Sequence, residues 1–306
     1  MMTSDALTIP AETRAAQARK AADPVVFSDR GFLHVGGDQA IDFLDRLTSG
    51  PVRQNLTTQA GETGIALTAL LTPQGKYLAE AFVLNAQALG MADGVILDVP
   101  LAQRETIEAW LGRYNLRDDV SLTRREGRIT GQRTDTPGDG FADPRGLGRR
   151  FYDVNTSTAK TGQGRPEDLL RYHRARIRQG IPEGCYDGML ERSILAELNY
   201  DLIGAVDWQK GCFIGQEVTV RVHRRGLVRK RMMPIRSTQS LSCFADVSHR
   251  DGKRIGHLGR CFPPLPGEDE GYLAFALLPL DIAGSEIFCE DQPLEILTSP
   301  LLAQSS

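Results

Sequence analysis

One short segment of the sequence brings a cysteine together with charged, amide and glycine residues. It reads KGCFIGQE and runs from Lys210 to Glu217. Glycine permits close backbone approach and positive φ angles, so Gly211 and Gly215 indicate a shaped loop rather than a core strand. Lys210 lies close to Cys212 in sequence, and positive surroundings favour the thiolate, the reactive and metal-binding form of cysteine. The segment therefore predicts a functional thiol at Cys212.

The remaining cysteines and the histidines carry weaker signals. The other cysteines are Cys185, Cys243, Cys261 and Cys289, and no pair has C-x-x-C spacing. A lone cysteine is usually a small buried hydrophobic residue, and that structural role stays open for Cys212 as well. The five histidines show no H-x-x-x-H or H-E-x-x-H spacing. The sequence therefore predicts neither a preformed metal site nor a disulfide framework, and it favours a reducing compartment.

Basic residues are concentrated directly after the cysteine segment. They are Arg221, Arg224, Arg225, Arg229, Lys230 and Arg231, in a chain whose net charge is −3. Such a concentration indicates an anionic ligand or partner, although a solvated basic face is the commoner explanation. No G-x-S-x-G elbow, Walker loop or dinucleotide fingerprint is present in the sequence.

The element that follows Gly215 can be predicted in two ways. Val218, Val220 and Val222 alternate as they would in a strand. A helix would instead stack Val218 on Val222 and place Cys212 near a helix N-terminus, whose dipole favours a thiolate. Periodicity alone leaves both alternatives open.

The other elements follow from apolar spacing and from turn residues. The pattern predicts strands at Val25–Phe27 and Phe32–Val35 around a turn at Asp29–Gly31, a hairpin about Thr72–Gly75, a strand at Gly94–Val99, and helices at Ala40–Leu47, Ala102–Tyr114 and Pro166–Arg178. Residues 133–150, rich in Gly, Pro and Asp, are expected to form a loop. Short β-like runs dominate from residue 236. The prediction is an α+β protein with a lead-in at 1–24, a main region at 25–235 and a small β-domain at 236–303.

Length and composition give less specific information, on the number of domains, membrane association and location. A chain of 306 residues suggests two or three cooperating domains. No apolar run approaches the roughly 18 residues of a membrane span, so no membrane association is expected. Asp5 and Glu12 argue against a mitochondrial transit peptide, which is usually poor in acidic residues. The expected location is therefore cytoplasmic.

The motif and its context resemble a known family. KGCFIGQE, continued by VTVRVHRRGLVRKRM, is similar to the signature of the YgfZ-type folate-binding iron–sulfur cluster assembly factors, within the glycine-cleavage T-protein (aminomethyltransferase) superfamily. Further family-like segments follow in family order along the chain: SDRGFLHVGGDQAIDFLDRLTS, ALLTPQGKYLAEAFVL, DPRGLGRR, RARIRQGIPEG, AELNYDLIGAVDWQKGC and IGHLGRC. The resemblance thus extends over nearly the whole sequence.

The resemblance implies a fold and a set of site residues. The implied fold is T-protein-like, with two interleaved mixed α/β folate-binding lobes and a small C-terminal β-barrel around a central hole that holds tetrahydrofolate. It also implies that the segment after Gly215 is helical. The matching functional positions are Lys210, Gly211, Cys212, Gly215, Gln216, Glu217 and Arg221. Cys212 is the position most closely tied to activity in the family.

The resemblance also implies folate-binding residues, which are Glu80, Arg149, Glu217 and Arg221. Glu80 replaces an aspartate that faces the reactive nitrogens of folate in the T-protein enzymes, and Ala79 replaces the second aspartate of their pair. We therefore expect folate binding to survive and aminomethyl transfer to become doubtful. An exposed strand carboxylate is the alternative role for Glu80. Arg221 and its neighbours suit the glutamate tail of folate or an acidic partner, whereas Asp143 and Arg145 receive no individual role.

These expectations converge on one function. It is a tetrahydrofolate-binding accessory factor, not primarily an enzyme, that assists assembly or repair of [4Fe–4S] proteins through Cys212. Its partners would be folate and iron–sulfur assembly machinery or client proteins. The alternatives are a folate-dependent aminomethyltransferase or demethylase, and a tRNA-linked folate-binding protein. Nucleic acid is disfavoured by the net charge of −3 and by the lack of a basic sheet studded with aromatic residues.

Overall fold

The computed structural model describes residues 24–57, 64–116, 119–132, 140–154 and 164–303. The expected lead-in at residues 1–24 lies outside this part of the chain except for Pro24. Helices and strands are both present, and the strands form two open sheets and one closed barrel. The α+β class and the C-terminal β-barrel are therefore confirmed.

The first sheet has five antiparallel strands in the order β3-β4-β5-β2-β6. They are β2 (Arg30–Gly36), β3 (Ile65–Leu71), β4 (Tyr77–Asn85), β5 (Val95–Pro100) and β6 (Ser121–Arg125). Strands β3 and β4 form the predicted hairpin, whose turn closes with a hydrogen bond of 2.8 Å from the Gly75 amide to the Thr72 carbonyl. The predicted turn at Asp29–Gly31 is wrong in part, because Arg30 and Gly31 pair with Pro100 and Val99 as part of β2.

Three helices cover one face of this sheet. They are α1 (Ala40–Leu47), α2 (Val52–Thr57) and α3 (Arg104–Tyr114). Helix α1 has the predicted bounds and buries the apolar residues whose spacing predicted it. A short 3₁₀ turn at Leu101–Gln103 precedes α3, so the predicted helix 102–114 consists of two pieces. Their apolar side chains form a separate core with the outer face of the sheet.

The second sheet has four strands in the order β1-β7-β9-β8. They are β1 (Val25–Val26), β7 (Gly127–Gln132), β8 (Phe141–Ala142) and β9 (Arg149–Val154). The loop prediction for 133–150 is wrong where β8 and the start of β9 lie, because pairing of β9 with β7 and of β8 with β9 overrides the local turn composition. Residues 133–139 lie outside the described ranges. The helices α4 (Pro166–Gln179) and α5 (Gly184–Asp187) follow this sheet.

The helix α6 (Gln216–Arg224) follows the cysteine segment. The helical alternative implied by the resemblance is therefore confirmed over the strand indicated by the valines. Thr219 is buried on this helix, and Val218 packs against the β3–β4 turn at Gly75. The predicted helix at 166–178 is confirmed as α4, which ends at Gly180 in the left-handed conformation.

The C-terminal barrel closes in the strand order β10-β13-β12-β11-β14-β15. Its strands are β10 (Lys230–Ser237), β11 (Asp246–His249), β12 (Arg254–Leu258), β13 (Tyr272–Pro279), β14 (Ile287–Cys289) and β15 (Gln292–Ile296), and the helix α7 (Pro300–Ala303) follows. The barrel begins at Lys230, ahead of the expected boundary at residue 236.

One buried apolar cluster joins all three sheets. It includes Phe82 of the first sheet, Ile129 of the second, Tyr200 of the connecting segment and Phe275 of the barrel. The three units therefore share a core and hold their connecting loops at fixed positions. Among the helices in the described ranges, none is both long enough and apolar enough to cross a bilayer.

Candidate functional site

The motif loop, residues 210–215, is held against the β3–β4 hairpin by two glycines. Gly215 has φ +78°, and a Cβ atom there would lie 2.6 Å from the Thr72 carbonyl oxygen and 2.9 Å from Gly75 Cα. Reciprocally, a Cβ at Gly75 would lie 2.8 Å from the Gly215 oxygen. Only glycine fits both positions without strain. The start of helix α6 and the hairpin turn are therefore locked together.

Lys210 anchors the other end of the motif loop. Its Nζ atom donates hydrogen bonds of 2.8 Å to the Asp45 carbonyl and 2.7 Å to the Gly50 carbonyl, and lies 3.7 Å from Asp45 Oδ1. Burial lowers the pKa of Lys210 to about 8, although Asp45 and Asp207 act in the opposite direction. The ammonium thus fixes the loop to the end of helix α1.

Cys212 is exposed on the loop between these two anchors. The buried hydrophobic role left open by the sequence is therefore wrong for this cysteine. Gln216 donates a hydrogen bond of 3.4 Å to the carbonyl of Gly211, which further limits the loop around the thiol. Gly211 has open space on its Cβ side, so it serves neither a tight turn nor a close contact. The loop presents an accessible thiol on a fixed backbone.

An open cleft of about 890 Å³, here called the motif cleft, lies beside the loop. Helix α6 contributes Glu217 and Arg221 to its wall. Trp208 and His223 stack in it with ring centroids 3.7 Å apart and an interplanar angle of 14°. The motif residues Lys210, Gly215 and Gln216 line the same cleft. The structure thus brings most of the motif residues together around one concave surface, whereas Gly211 and Cys212 are not part of its wall.

Glu80 lies elsewhere, in the interior of the protein. It is 1% exposed, so the alternative of an exposed strand carboxylate is wrong. Its Oε1 atom accepts a hydrogen bond of 3.1 Å from Arg30, and its Oε2 atom accepts from the Gly184 amide at 3.2 Å and from the Tyr200 hydroxyl. Both carboxylate oxygens are therefore bonded to the protein itself.

Glu80 belongs to a buried charge network that sequence reasoning missed. Arg30 also pairs with Asp98, and Asp98 Oδ2 lies 2.8 Å from Arg150 Nη2. The same network holds Asp143, Arg145 and Glu183. Carboxylates inside apolar runs, Asp98 in VILDVP and Glu80 in YLAEAFVLN, were the local signs of it. Every one of these charges faces an opposite charge, as burial requires.

The network gives Asp143 and Arg145 a structural role. Arg145 Nη2 lies 2.8 Å from Asp143 Oδ2, and Arg145 Nη1 lies 2.9 Å from Glu183 Oε1. Burial by itself would raise the pKa of Asp143, but the guanidinium groups of Arg145 and Arg150 lower it below its usual value. These residues connect the β8–β9 turn to helix α5.

The four residues expected to bind folate therefore occupy three places. Glu80 is in the buried network, and Glu217 and Arg221 line the motif cleft. Arg149 donates a hydrogen bond of 2.6 Å to the Gly140 carbonyl at the edge of the second sheet. Neither Glu80 nor Arg149 lines the motif cleft. Their role toward folate stays a prediction.

A second cavity, here called the junction cavity, lies where the three sheets meet. Its volume is about 550 Å³, and its walls come from the β1–β2 turn, the end of β5, helix α5 and the barrel. Asp29 lines it, with Oδ2 accepting from the Tyr186 hydroxyl and a buried Oδ1 for which the described residues provide no hydrogen-bond partner. Arg260 lies across it, 5.3 Å from the Tyr186 ring centroid and 5.7 Å from that of Phe262.

The other groups around the junction cavity are neutral. Burial, with a contribution from nearby carboxylates, raises the pKa of Cys185 and that of Tyr186. Burial and the charge of Arg176 lower the pKa of His173, behind Tyr186, to about 3. The cavity thus offers one carboxylate and one guanidinium on an otherwise uncharged wall. Sequence reasoning missed it, although Asp29 and Arg260 lie in two family-like segments, SDRGF and IGHLGRC.

Comparisons with known proteins identify relatives of this chain. No protein-family model matches the chain. The iron–sulfur cluster assembly factor IBA57 homolog, mitochondrial, of Pyricularia oryzae is 30% identical over 221 residues, which cover 67% of this chain and 55% of that protein. The human iron–sulfur cluster assembly factor IBA57, mitochondrial, is 28% identical over 253 residues, covering 74% and 71%. The chain spans about half the length of the fungal relative.

A solved structure shares the fold. The glycine cleavage system aminomethyltransferase T from Bartonella henselae superposes with a TM-score of 0.68 at 14% identity, covering 94% of this chain and 88% of that one. The likeness concerns the fold alone at this identity. It confirms the T-protein-like fold, and together with the relatives it confirms the resemblance stated from the motifs.

The relatives contradict the expected cytoplasmic location. Both relatives described above, and a third from Dictyostelium discoideum, are named as mitochondrial proteins. The expectation depended on Asp5 and Glu12. Two acidic side chains near the start of this sequence do not determine the compartment.

Proposed function

We propose that this chain, a homologue of the IBA57 iron–sulfur cluster assembly factors with the fold of the T-protein, is a tetrahydrofolate-binding accessory factor in the assembly or repair of [4Fe–4S] proteins. The observation that carries the proposal is the exposed thiol of Cys212 on a loop fixed by Lys210 and Gly215. A fixed backbone presents the thiol in one geometry, which suits transient contact with a cluster on another protein.

The role of Cys212 follows from the number of ligands that an iron–sulfur cluster requires. A [4Fe–4S] cluster takes four cysteine thiolates, and the motif loop provides one. The remaining ligands come from the partner or client, with the cluster as cargo shared during transfer or repair. Exposure of Cys212 is a requirement for such sharing, because a buried thiol cannot reach a cluster held by a second protein.

The junction cavity supports folate binding better than the four residues expected from the resemblance. Its volume of about 550 Å³ lies in the usual range for small-molecule sites. The carboxylate of Asp29, which lines the cavity, can accept hydrogen bonds from the N–H groups of a pteridine ring. The guanidinium of Arg260 can bind a carboxylate of the glutamate tail. When bound, tetrahydrofolate supplies a reduced, electron-rich ring.

Glu80 favours an accessory factor over a C1-transfer enzyme. A carboxylate that assists aminomethyl transfer has to face the reacting nitrogens of the folate. The Glu80 carboxylate is held instead by Arg30, Tyr200 and the Gly184 amide. Its buried partners keep it in a structural role, and Ala79 beside it provides no second carboxylate.

The proposal is tested by Cys212→Ser in cells that lack their own assembly factor of this type. We expect the wild-type chain, and the control Gln209→Ser at an exposed neighbouring position, to restore activity of a [4Fe–4S] enzyme. Cys212→Ser should fail to restore it while binding tetrahydrofolate with unchanged affinity in an anaerobic titration. Full rescue by Cys212→Ser would show that the thiol is not the functional group.

A further inference from the structure

Helix α6 exposes a row of arginines that the proposed function leaves without a task. Arg221, Arg224 and Arg225 are all exposed, and their spacing of three and four residues places them on one side of the helix. Within the ranges that the structure describes, none of the three pairs with a carboxylate, although Glu217 is one turn from Arg221. The chain as a whole carries a net charge of −3, so this concentration of positive charge opposes the overall sign.

The motif cleft adds apolar side chains to these cations. Phe213 and Val220 line it, and so does Trp208, which is 38% exposed. The indole of Trp208 is held in place by its stacked contact with His223. An aromatic surface fixed beside guanidinium groups can bind an apolar side chain and neighbouring carboxylates together. Lys210 and Phe213 of the motif loop line the cleft and Cys212 does not, so an occupant of the cleft would lie beside the loop that carries Cys212.

We propose that the motif cleft docks an acidic peptide segment of a partner protein, with an aromatic or aliphatic side chain against Trp208 and carboxylates on Arg221, Arg224 and Arg225. This inference rests on the proposed function, because it names the chemistry of the partner brought to Cys212. Guanidinium forks bind carboxylates in pairs of parallel hydrogen bonds. The arginines have no internal ion pair to break when the peptide binds, so their charges also accelerate the encounter.

A peptide fits the cleft better than a nucleic acid does. Sequence-tolerant binding of single strands depends on several aromatic faces that stack successive bases. Trp208 and His223 are the exposed rings of this cleft, and they stack on each other, so one face of each is already covered. Extended phosphate contact would also have to overcome the net charge of −3. A concave site that combines cations with apolar side chains suits a short acidic segment.

The test uses a fluorescein-labelled hexapeptide of five glutamates and one internal phenylalanine, and measures its binding to the full chain by anisotropy. We expect saturable binding by the wild type and by Cys212→Ser, with affinity that falls as salt is raised. The double variant Arg224→Glu/Arg225→Glu should bind at least about tenfold more weakly. The control Arg113→Glu changes another exposed arginine, on helix α3, and should bind like the wild type.

Several results would overturn the docking proposal. They are an unchanged affinity of the double variant, equal binding of a hexapeptide with glutamines in place of glutamates, and tighter binding of tRNA that is lost in the same variant. Arg224→Gln/Arg225→Gln removes charge without reversing it, and unfolding in urea checks that both variants fold. Peptide binding requires no cluster activity. A Cys212→Ser variant that still rescues would therefore refute the proposed function without affecting the docking result.

Discussion

The contact between Gly215 and the β3–β4 turn gives the prediction with the clearest magnitude. Gly215→Ala places a methyl group 2.6 Å from the Thr72 carbonyl oxygen and 2.8 Å from Leu71 Cβ. It also imposes a side chain on a backbone with φ +78°, which costs about 1–2 kcal/mol for an L-residue. Overpacking adds about 1–3 kcal/mol. We therefore expect the free energy of unfolding to fall by about 2–5 kcal/mol, the sum of those two ranges.

The assay is unfolding in urea followed by circular dichroism, with the slope of the transition compared between variants. The matched control is Gly211→Ala in the same loop, where a Cβ meets no atom within 4 Å. That control should change the free energy of unfolding by less than about 0.5 kcal/mol. Gly75→Ala disturbs the same contact from the hairpin side. The loss in free energy of unfolding of Gly75→Ala/Gly215→Ala should therefore be smaller than the sum of the losses of the two single variants.

Two results for Gly215→Ala would contradict this reasoning. If Gly215→Ala and Gly211→Ala had equal stability, the close approach of the loop to the hairpin would not exist in solution. If Gly215→Ala were destabilised and yet restored [4Fe–4S] enzyme activity fully, the fixed geometry of the motif loop would have no functional importance. The two readouts therefore separate the structural argument from the functional one.

Three further predictions follow from the buried charges and the junction cavity. Glu80→Gln removes the charged partner of Arg30 in the buried network and should cost about 3–5 kcal/mol in the free energy of unfolding by urea. The pKa of Lys210 is lowered in the folded state to about 8, so the unfolded chain binds more protons above that pH. The stability of the wild type should then rise relative to Lys210→Met between about pH 8 and 10.4, by at most about 3 kcal/mol. Asp29→Asn and Arg260→Met should each weaken tetrahydrofolate binding by roughly 10- to 100-fold in anaerobic calorimetry, since each removes a charge-assisted hydrogen bond.

Each of these predictions has a control and a contrary outcome. Glu286→Gln breaks an exposed pair with Arg250 and should lower the free energy of unfolding by less than about 1 kcal/mol. An equally small loss for Glu80→Gln would contradict the buried network. Parallel pH profiles for the wild type and Lys210→Met would show that the pKa of Lys210 is not lowered. Arg113→Met should bind tetrahydrofolate like the wild type, and unchanged binding by Arg260→Met would exclude the junction cavity as the folate site.

Local pattern was sufficient to predict those elements whose signals lie within a few residues. The β3–β4 hairpin follows from turn residues between two apolar runs, and helix α4 from its periodicity and the terminal Gly180. The helix after Gly215 did not follow from periodicity, because its valines alternate as in a strand. Its helical state depends on contacts with the distant Gly75, which a local pattern does not contain.

The residues of the candidate site also differ in whether a local sequence pattern identifies them. Cys212 and its glycines could be predicted because the functional signal is contiguous in sequence. The buried network could not, since Arg30 lies 50 residues from Glu80 and 68 from Asp98. A carboxylate on a strand gives the same sequence pattern whether it faces water or a guanidinium. The junction cavity is assembled from a turn near residue 29, from residues 100–102 and 185–186, and from barrel loops at residues 243–244 and 260, so no local pattern identifies it.

The closed barrel limits how this protein can contact others. A strand at the edge of an open sheet exposes amide and carbonyl groups that another chain can pair with. Each barrel strand, β10 to β15, already pairs on both sides, so a visiting strand finds no place there. Among the open edges of the described residues, β6 carries Arg124 and Arg125, and charged side chains of this kind discourage strand addition. Recognition by the barrel therefore has to proceed through its side chains and loops, which allows partners to bind and leave without joining a continuous sheet.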